Sequence, residues 1–247
     1  MYDPRKLELV VDVEPPCPIC GKPMRRLPTP REFKCYFCGE VGKGDVVCEE
    51  EHFICESCRL ASAEEAIERI GLAATESDPV KIADKMMKHP AVPTYGVEHH
   101  LIAAVAMFVA MKNLKAGEKA QAKDIKRLVK LTGKIPYGSC GFMGVCGAAA
   151  GVGAAFSAFL DASYMKDKER TLAMEAASRA NSAIAREGGP RCCVASVYIA
   201  LSEASKMATE LLGIHLKPAL PLGRCEFAEG AEDCRRERCR FFEGAGA

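Results

Sequence analysis

The sequence contains no tryptophan, and aromatic residues make up only 6% of its 247 residues. Its formal net charge of +1 is too small for the electrostatic footprint of a nucleic-acid-binding protein. No apolar stretch of the signal-peptide type follows Met1, so we expect a cytoplasmic protein. The length suits one helical domain with a small additional module, and the core must consist of aliphatic residues and methionine.

Charged residues are absent between Lys134 and Asp161, and this run is long enough to cross a bilayer. Glycine interrupts it repeatedly, bulky aliphatic residues are few, and no basic cluster follows Asp161. We therefore interpret the run as a buried core helix and expect no association with a membrane.

Cysteine is absent between Cys58 and Cys140, although the chain has 14 cysteines in total. Seven precede residue 60 and seven follow residue 139. Thiols in a cytosolic protein stay reduced, so these two groups indicate metal sites and not a disulfide framework.

The first group predicts a zinc-binding module over residues 1–60. Two CxxCG knuckles are followed by a CxxxHxxCxxC segment, and the CxxC spacing lets both sulfurs reach one tetrahedral zinc ion. The eight ligands suffice for two zinc ions. We favour alternating pairs, namely Cys17 and Cys20 with Cys48 and His52, and Cys35 and Cys38 with Cys55 and Cys58. The zinc ions either stabilise a segment that is too small for its own core, or the module is a docking surface for a protein or RNA. His52 is either a zinc ligand or a surface histidine.

Residues 61–217 predict an all-α domain of about six or seven helices with a core rich in glycine and alanine. A capping box at Ser62 and Glu65, a proline after Asp78, and glycines at helix ends mark the boundaries. The predicted helices cover about 62–73, 79–89, 97–112, 119–130, 145–160, 167–187 and 190–212, and a short strand covers 7–13.

Three titratable residues, Glu98, His99 and His100, open the predicted helix at 97–112, which is otherwise apolar on nearly all sides. A carboxylate beside imidazoles can orient a tautomer, relay protons or bind a metal. The alternative is that one histidine caps local backbone and the other faces water.

Cysteines also stand at the starts of two apolar helices. Cys140 and Cys146 lie in the run Gly138–Gly153, and we expect Cys146 in the first turn of its helix. Cys192 and Cys193 follow Arg191 in the segment GGPRCC, with Pro190 near the first helical position. The helix dipole favours a thiolate at such positions. We therefore expect these helix starts to converge on one thiolate site, an iron–sulfur cluster.

The C-terminal tail, residues 218–247, is too charged to fold by burial alone. It contains Cys225, Cys234 and Cys239, which we interpret as metal ligands and not as packing residues.

The motifs EHH, GxCGxxGxCGAA and GGPRCC, together with the tail cysteines, resemble a cysteine-rich family of unknown function from anaerobic archaea and bacteria. Some of its members are joined to methyltransferase-like or radical-chemistry modules. The resemblance covers nearly the whole chain and implies functional roles for Glu98, His99, His100, Cys140, Cys146, Arg191, Cys192, Cys193, Cys225, Cys234 and Cys239. Val194 departs from the lysine that is common after the cysteine pair.

The first functional hypothesis is an iron–sulfur protein, with a 4Fe–4S cluster, that performs redox, lyase or sulfur-transfer chemistry on a small molecule. Its ligands are either Cys140, Cys146, Cys192 and Cys193, or the tail cysteines with one of the adjacent pair. Glu98 with His99 or His100 then acts as acid and base, and Arg191 holds an anionic group. Iron–sulfur serine dehydratases and cysteine desulfidases also place cluster cysteines in helices rich in glycine and alanine, but the similarity rests on no shared motif.

The second hypothesis is a zinc-binding adaptor that recruits a methyltransferase or another partner protein, with the helical cysteines as zinc ligands. A third is a sulfur or metal carrier that uses Cys192 and Cys193, since adjacent cysteines can share a soft metal. Nucleic acid is not an expected partner, because basic residues are not gathered with aromatic ones.

Overall fold

In a computed structural model, residues 15–115, 118–220 and 225–242 are described, and the strand predicted at residues 7–13 lies outside them. These residues form one two-stranded sheet followed by helices. The mainly helical fold class with a small cysteine-rich N-terminal module is therefore confirmed.

The sheet is an antiparallel pair of strands, β1 (Met24–Lys34) and β2 (Val41–Cys48). The sequence predicts a strand only at residues 7–13, so the absence of a predicted strand in the polar segment between the two knuckles is wrong for most of that segment. Pro28 and Pro30 fall where the pairing register shifts, and ladder pairing continues on both sides of that irregularity.

The described residues contain nine helices. They are α1 (Glu56–Arg59), α2 (Ala63–Ala73), α3 (Pro79–Met87), α4 (Glu98–Leu114), α5 (Ala122–Thr132), α6 (Ser139–Phe142), α7 (Gly147–Phe159), α8 (Asp167–Glu187) and α9 (Cys193–Leu212), with a 3-10 turn at Arg236–Arg238. The capping box of α2 is formed as predicted.

Helix α4 is the centre of the core, since every side chain from Leu101 to Met111 is buried. Helix α7 packs on it at very short range. A Cβ on Gly147 would overlap the imidazole of His100, and one on Gly151 would overlap the His100 carbonyl. These two glycines therefore bring the start of α7 against the start of α4.

The second half of the uncharged run forms the core helix α7, Gly147–Phe159, as predicted, whereas Tyr137, Phe142 and Met143 in its first half are exposed. None of the described helices combines the length and the apolar character that a bilayer crossing requires.

Two cysteine-bearing helix starts, like the start of α5 at Ala122, differ from their predicted positions. Cys146 is the N-cap of α7 and does not belong to its first turn. Helix α9 begins at Cys193 and not at Pro190, because Gly188 and Gly189 hold positive φ angles of 67° and 77° that turn the chain before it enters the helix.

The N-terminal module contacts the helical part directly. The ring of Phe37 lies 4.5 Å from that of His89, and Nε2 of His89 lies 2.9 Å from the carbonyl oxygen of Cys58. Arg69 of α2 donates to Glu40 at 3.0 Å and to the sulfur of Cys38 at 3.9 Å. The second knuckle is therefore held on α2 and on the loop after α3.

Candidate functional site

Eight cysteine and histidine side chains of the N-terminal module form two groups of four. Within each group, the four donor atoms lie within 4.8 Å of one another. One group is Cys17, Cys20, Cys48 and His52, and the other is Cys35, Cys38, Cys55 and Cys58. This is the alternating arrangement that the sequence favoured, and His52 belongs to the first group. Each group can hold one metal ion.

The second group has a cationic neighbour. Burial alone would raise the pKa of Cys35, but backbone N–H groups of Cys38 and Cys55 outweigh it and lower the pKa to about 7. The guanidinium of Arg69 hydrogen-bonds the sulfurs, which raises its own pKa. A fixed cation beside four thiols offsets the negative charge that a metal-bound tetrathiolate carries.

A cavity of about 390 Å³ lies where α4, α7 and α9 begin. It is lined by seven of the residues that the sequence analysis selected: His99, His100, Cys140, Cys146, Arg191, Cys192 and Cys193. Side chains from four separate segments of the chain therefore meet at one place.

The two imidazoles are buried where α4 enters the core. His99 is 1% exposed, and burial lowers its pKa to about 4. Burial also lowers the pKa of His100, against an opposing effect of the Glu98 carboxylate. Nδ1 of each ring has no hydrogen-bond partner in the described residues. Both rings are neutral near pH 7.

Glu98 is not among the residues that line this cavity. Its carboxylate lies over Gly96, where a Cβ would overlap it. The predicted role of Glu98 as an acid or base inside the site is therefore not supported by its position, and Glu98 acts on His100 through its charge alone.

Cys146 is held by a residue that the sequence analysis missed. The side chain of Asn181, in the middle of α8, accepts from the backbone N–H of Cys146 at 2.8 Å and donates to the carbonyl of Gly144 at 3.0 Å. No local motif marks this asparagine, because its partners lie 35 and 37 residues away.

Arg191 lies at the rim of the cavity and is partly occupied by protein groups. It hydrogen-bonds the hydroxyl of Tyr137, stacks over Tyr95 at 4.9 Å, and lies 3.8 Å from a carboxylate oxygen of Asp233. These contacts fix the guanidinium beside the opening while one face stays exposed.

The three tail cysteines and Cys192 line a second, much smaller cavity beneath the first. Burial raises the pKa of Cys225, and the charges of Cys192, Cys239 and Cys234 raise it further. The pKa of Cys192 is raised in the same way by burial and by Cys239 and Cys234. The charges of neighbouring cysteines therefore act on the thiols of Cys192 and Cys225.

Donors from the surrounding chain point at these sulfurs. The N–H of Ala195 lies 3.5 Å from Cys192 and that of Arg236 lies 3.4 Å from Cys234. The buried guanidinium of Arg235 approaches Cys239 at 3.9 Å and donates to the carbonyl of Gly188 at 2.6 Å. Such donors stabilise the negative charge of bound thiolates.

The spacing of this tail group differs from that of the N-terminal groups. No three of Cys192, Cys225, Cys234 and Cys239 have sulfurs within 4.8 Å of one another, although the four share one cavity. A single tetrahedral zinc ion with Zn–S bonds of about 2.3 Å requires sulfurs about 3.8 Å apart. These sulfurs are therefore spaced more widely than the ligands of one tetrahedral zinc ion.

The adjacent cysteines of α9 have different surroundings. Cys192 faces the tail group, whereas the nearest charges acting on Cys193 include Cys146. Burial raises the pKa of Cys193 to about 11. The expectation that the helix dipole makes these two residues thiolates is therefore wrong for the protein without metal, because burial outweighs the dipole.

The tail is fastened to the helical part near this group. Lys88 lies 3.0 Å from Asp84 and 2.8 Å from Glu226, the residue after Cys225. The hydroxyl of Tyr198 donates to Asp84 at 2.7 Å. Ion pairs and hydrogen bonds thus position a segment that has few apolar residues.

A comparison with protein families matched residues 67–242 to a "Family of unknown function (DUF5714)". Comparisons with curated proteins and with solved structures found no match. The matched region includes the cavity and the tail group, and it begins after both metal-binding groups of the N-terminal module. The chain belongs to the family DUF5714.

Proposed function

We propose that the chain is an iron–sulfur protein in which Cys192, Cys225, Cys234 and Cys239 hold a 4Fe–4S cluster beside the larger cavity, the one of about 390 Å³. One observation carries the proposal. Four thiols from α9 and the tail line one small cavity, yet no three of their sulfurs lie as close together as those of the N-terminal groups, which are within 4.8 Å of one another.

The surroundings of the four thiols fit such a group. Cluster potentials depend on hydrogen bonds to sulfur and on solvent exclusion. N–H donors approach three of the four sulfurs, and Phe227 and Phe241 form apolar walls. The raised thiol pKa values of Cys192 and Cys225 mean that binding must displace protons, as thiolate ligation generally does.

The larger cavity is the place for a substrate, because Cys192 lines both cavities. A bound cluster there would supply electrons or a Lewis-acidic iron. The chain itself supplies the neutral imidazole of His100, which can accept a proton, beside the partly buried thiol of Cys193. This combination supports redox, lyase or sulfur-transfer chemistry on a small molecule.

The two N-terminal groups are proposed to hold zinc with a structural role. Three or four thiols with at most one imidazole are typical of closed zinc sites. The Cys35 group continues into the main core through Phe37, so its metal also stabilises the junction with the helices.

The test is the metal and acid-labile sulfide content of protein purified and reconstituted without oxygen. We expect about four iron and four sulfide per chain, together with about two zinc. Cys225→Ser should lose most of the iron and sulfide while keeping zinc. Cys140→Ser is the matched control, because that exposed cysteine lies outside the tail group.

A zinc-binding adaptor is the second candidate. It is favoured by the position of the N-terminal module outside the matched family region, as expected of an attached docking unit. Three zinc ions per chain, without iron or sulfide after careful reconstitution, would contradict the iron–sulfur proposal and support the adaptor.

A further inference from the structure

The first turn of α7 has unsatisfied backbone donors. Its N-cap, Cys146, provides no side-chain cap, and its first turn contains no acidic residue. The N–H groups of Gly147 and Ala148 have no hydrogen-bond partner in the described part of the chain, and both residues line the larger cavity. Free N–H groups and the positive end of the helix dipole attract an anion.

Two buried side chains of the same cavity each leave one polar atom without a hydrogen-bond partner among the described residues. His99 is 1% exposed, and its Nδ1 has no hydrogen-bond partner in residues 15–115, 118–220 and 225–242. Arg235 is 8% exposed and its Nε is likewise unpartnered there. Buried polar groups are nearly always hydrogen-bonded, so these two indicate that a ligand belongs in the cavity.

The charges around the cavity leave a positive balance for that ligand. Glu187 is the acidic residue in its lining, and Glu187 is paired with Arg235 at 3.5 Å and Arg240 at 3.2 Å. Arg191 stands at the rim with Asp233 at 3.8 Å as its ionic partner. A small anion would therefore enter past Arg191 and meet the N–H groups of α7.

One side of the lining is apolar, which limits the kind of anion. Ile184, Ala185, Ala195 and Ile199 face the space, and its volume of about 390 Å³ exceeds that of a simple inorganic ion. A ligand that fills it has a short hydrocarbon body as well as a charged end.

We propose that this cavity binds a small organic acid, with its carboxylate against the first turn of α7 and its hydrocarbon part against α8 and α9. The inference rests on the proposed function in one respect, namely that this acid is the substrate of the site. Binding itself needs only the residues named above.

The experiment is calorimetric titration of the metal-loaded protein with butyrate, with butyramide as the uncharged control and inorganic phosphate as the competing anion. We expect butyrate to bind and butyramide not to. Butyramide binding as well as butyrate, or phosphate binding in place of butyrate, would overturn the proposal.

Ala148→Pro removes one of the free N–H donors at a helical position that tolerates proline. Losing a hydrogen bond to a charged group should weaken butyrate binding by roughly tenfold or more. Lys168→Pro, at the equivalent position of α8, is the matched control and should leave binding unchanged. Equal affinity in the two variants would contradict the proposed position of the carboxylate.

If Ala148→Pro does not fold, Arg191→Gln provides the second variant. It should weaken butyrate binding several-fold and reduce its dependence on salt; unchanged binding would count against the proposal. Iron content is measured in every sample. Butyrate binding without a cluster would refute the proposed function alone, and a cluster without butyrate binding would refute this inference alone.

Discussion

Asn181 offers a direct test of how the chain positions Cys146. Its side chain makes two hydrogen bonds, at 2.8 Å to the N–H of Cys146 and at 3.0 Å to the carbonyl of Gly144. Each such bond contributes about 1 kcal/mol, so Asn181→Ala should raise the free energy of the closed loop by about 2 kcal/mol. This corresponds to a roughly 30-fold increase in local opening.

The assay is amide hydrogen exchange, read at the residue level for Cys146. We expect the exchange rate of this amide to rise roughly 30-fold in Asn181→Ala, since the loop opens locally without global unfolding. Asn113→Ala is the matched control. Asn113 also makes two bonds to a loop, at 3.1 Å to Ala74 and 2.8 Å to Glu76, but far along α4 from the cavity.

Two results would refute the reasoning. One is an unchanged Cys146 exchange rate in Asn181→Ala, which would mean that the hydrogen bonds do not hold the loop. The other is an equal increase in Asn113→Ala, which would mean that the effect is general destabilisation. A matching loss of butyrate affinity in Asn181→Ala alone would connect the loop to the ligand site.

Three further predictions concern other parts of the molecule. Cys38→Ser and Cys20→Ser should each lower the zinc content from about two to about one per chain. Only Cys38→Ser should lower the melting temperature of the helices, because the group that contains Cys38 adjoins the main core. Equal melting temperatures of the two variants would contradict this prediction. The free energy of unfolding of the wild type should fall by up to about 3 kcal/mol as the pH drops from about 6.5 to 4, because His99 becomes protonated in the unfolded chain but stays neutral when it is buried in the fold. Urea unfolding of His99→Gln should show a smaller fall over the same pH range. An identical pH profile in the two proteins would contradict this prediction. Gly147→Ala should cost about 1–3 kcal/mol in thermal unfolding because its Cβ overlaps the ring of His100, and an unchanged or higher melting temperature would show that the ring moves freely.

Much of the helical part follows from local signals. The bounds of α8, Asp167–Glu187, agree with the predicted range, and the Ser62 capping box starts α2. Local chemistry determines these features, since capping, glycine stops and apolar periodicity act within a few residues. The same reasoning predicted that the two cysteine-bearing helix starts converge, and the first functional hypothesis added the histidines of a third helix start to that site.

The β1–β2 pair could not be predicted in the same way. Its strands carry arginine, lysine and proline without an alternating apolar face, so the sequence lacks the usual period of two. The pairing is instead fixed at its ends, where Met24 pairs with Cys48 of the first metal-binding group and Lys34 precedes Cys35 of the second. The cysteine groups at its two ends, and not an apolar face of its own, therefore position this segment.

The details of the site depended on contacts distant in sequence. The separation of Cys192 from Cys193 arises because the tail returns to α9, and Cys225, Cys234 and Cys239 then surround one residue of the pair. The position of Glu98 outside the cavity follows from a local fold over Gly96 that no periodicity indicates.

Electron paramagnetic resonance of the reduced, reconstituted protein tests the central claim most directly. The account predicts a cluster signal in the wild type that is lost in Cys239→Ser and unchanged in Cys140→Ser, since only Cys239 belongs to the tail group. A signal that persists in Cys239→Ser and disappears in Cys140→Ser would place the cluster in the larger cavity and contradict the assignment.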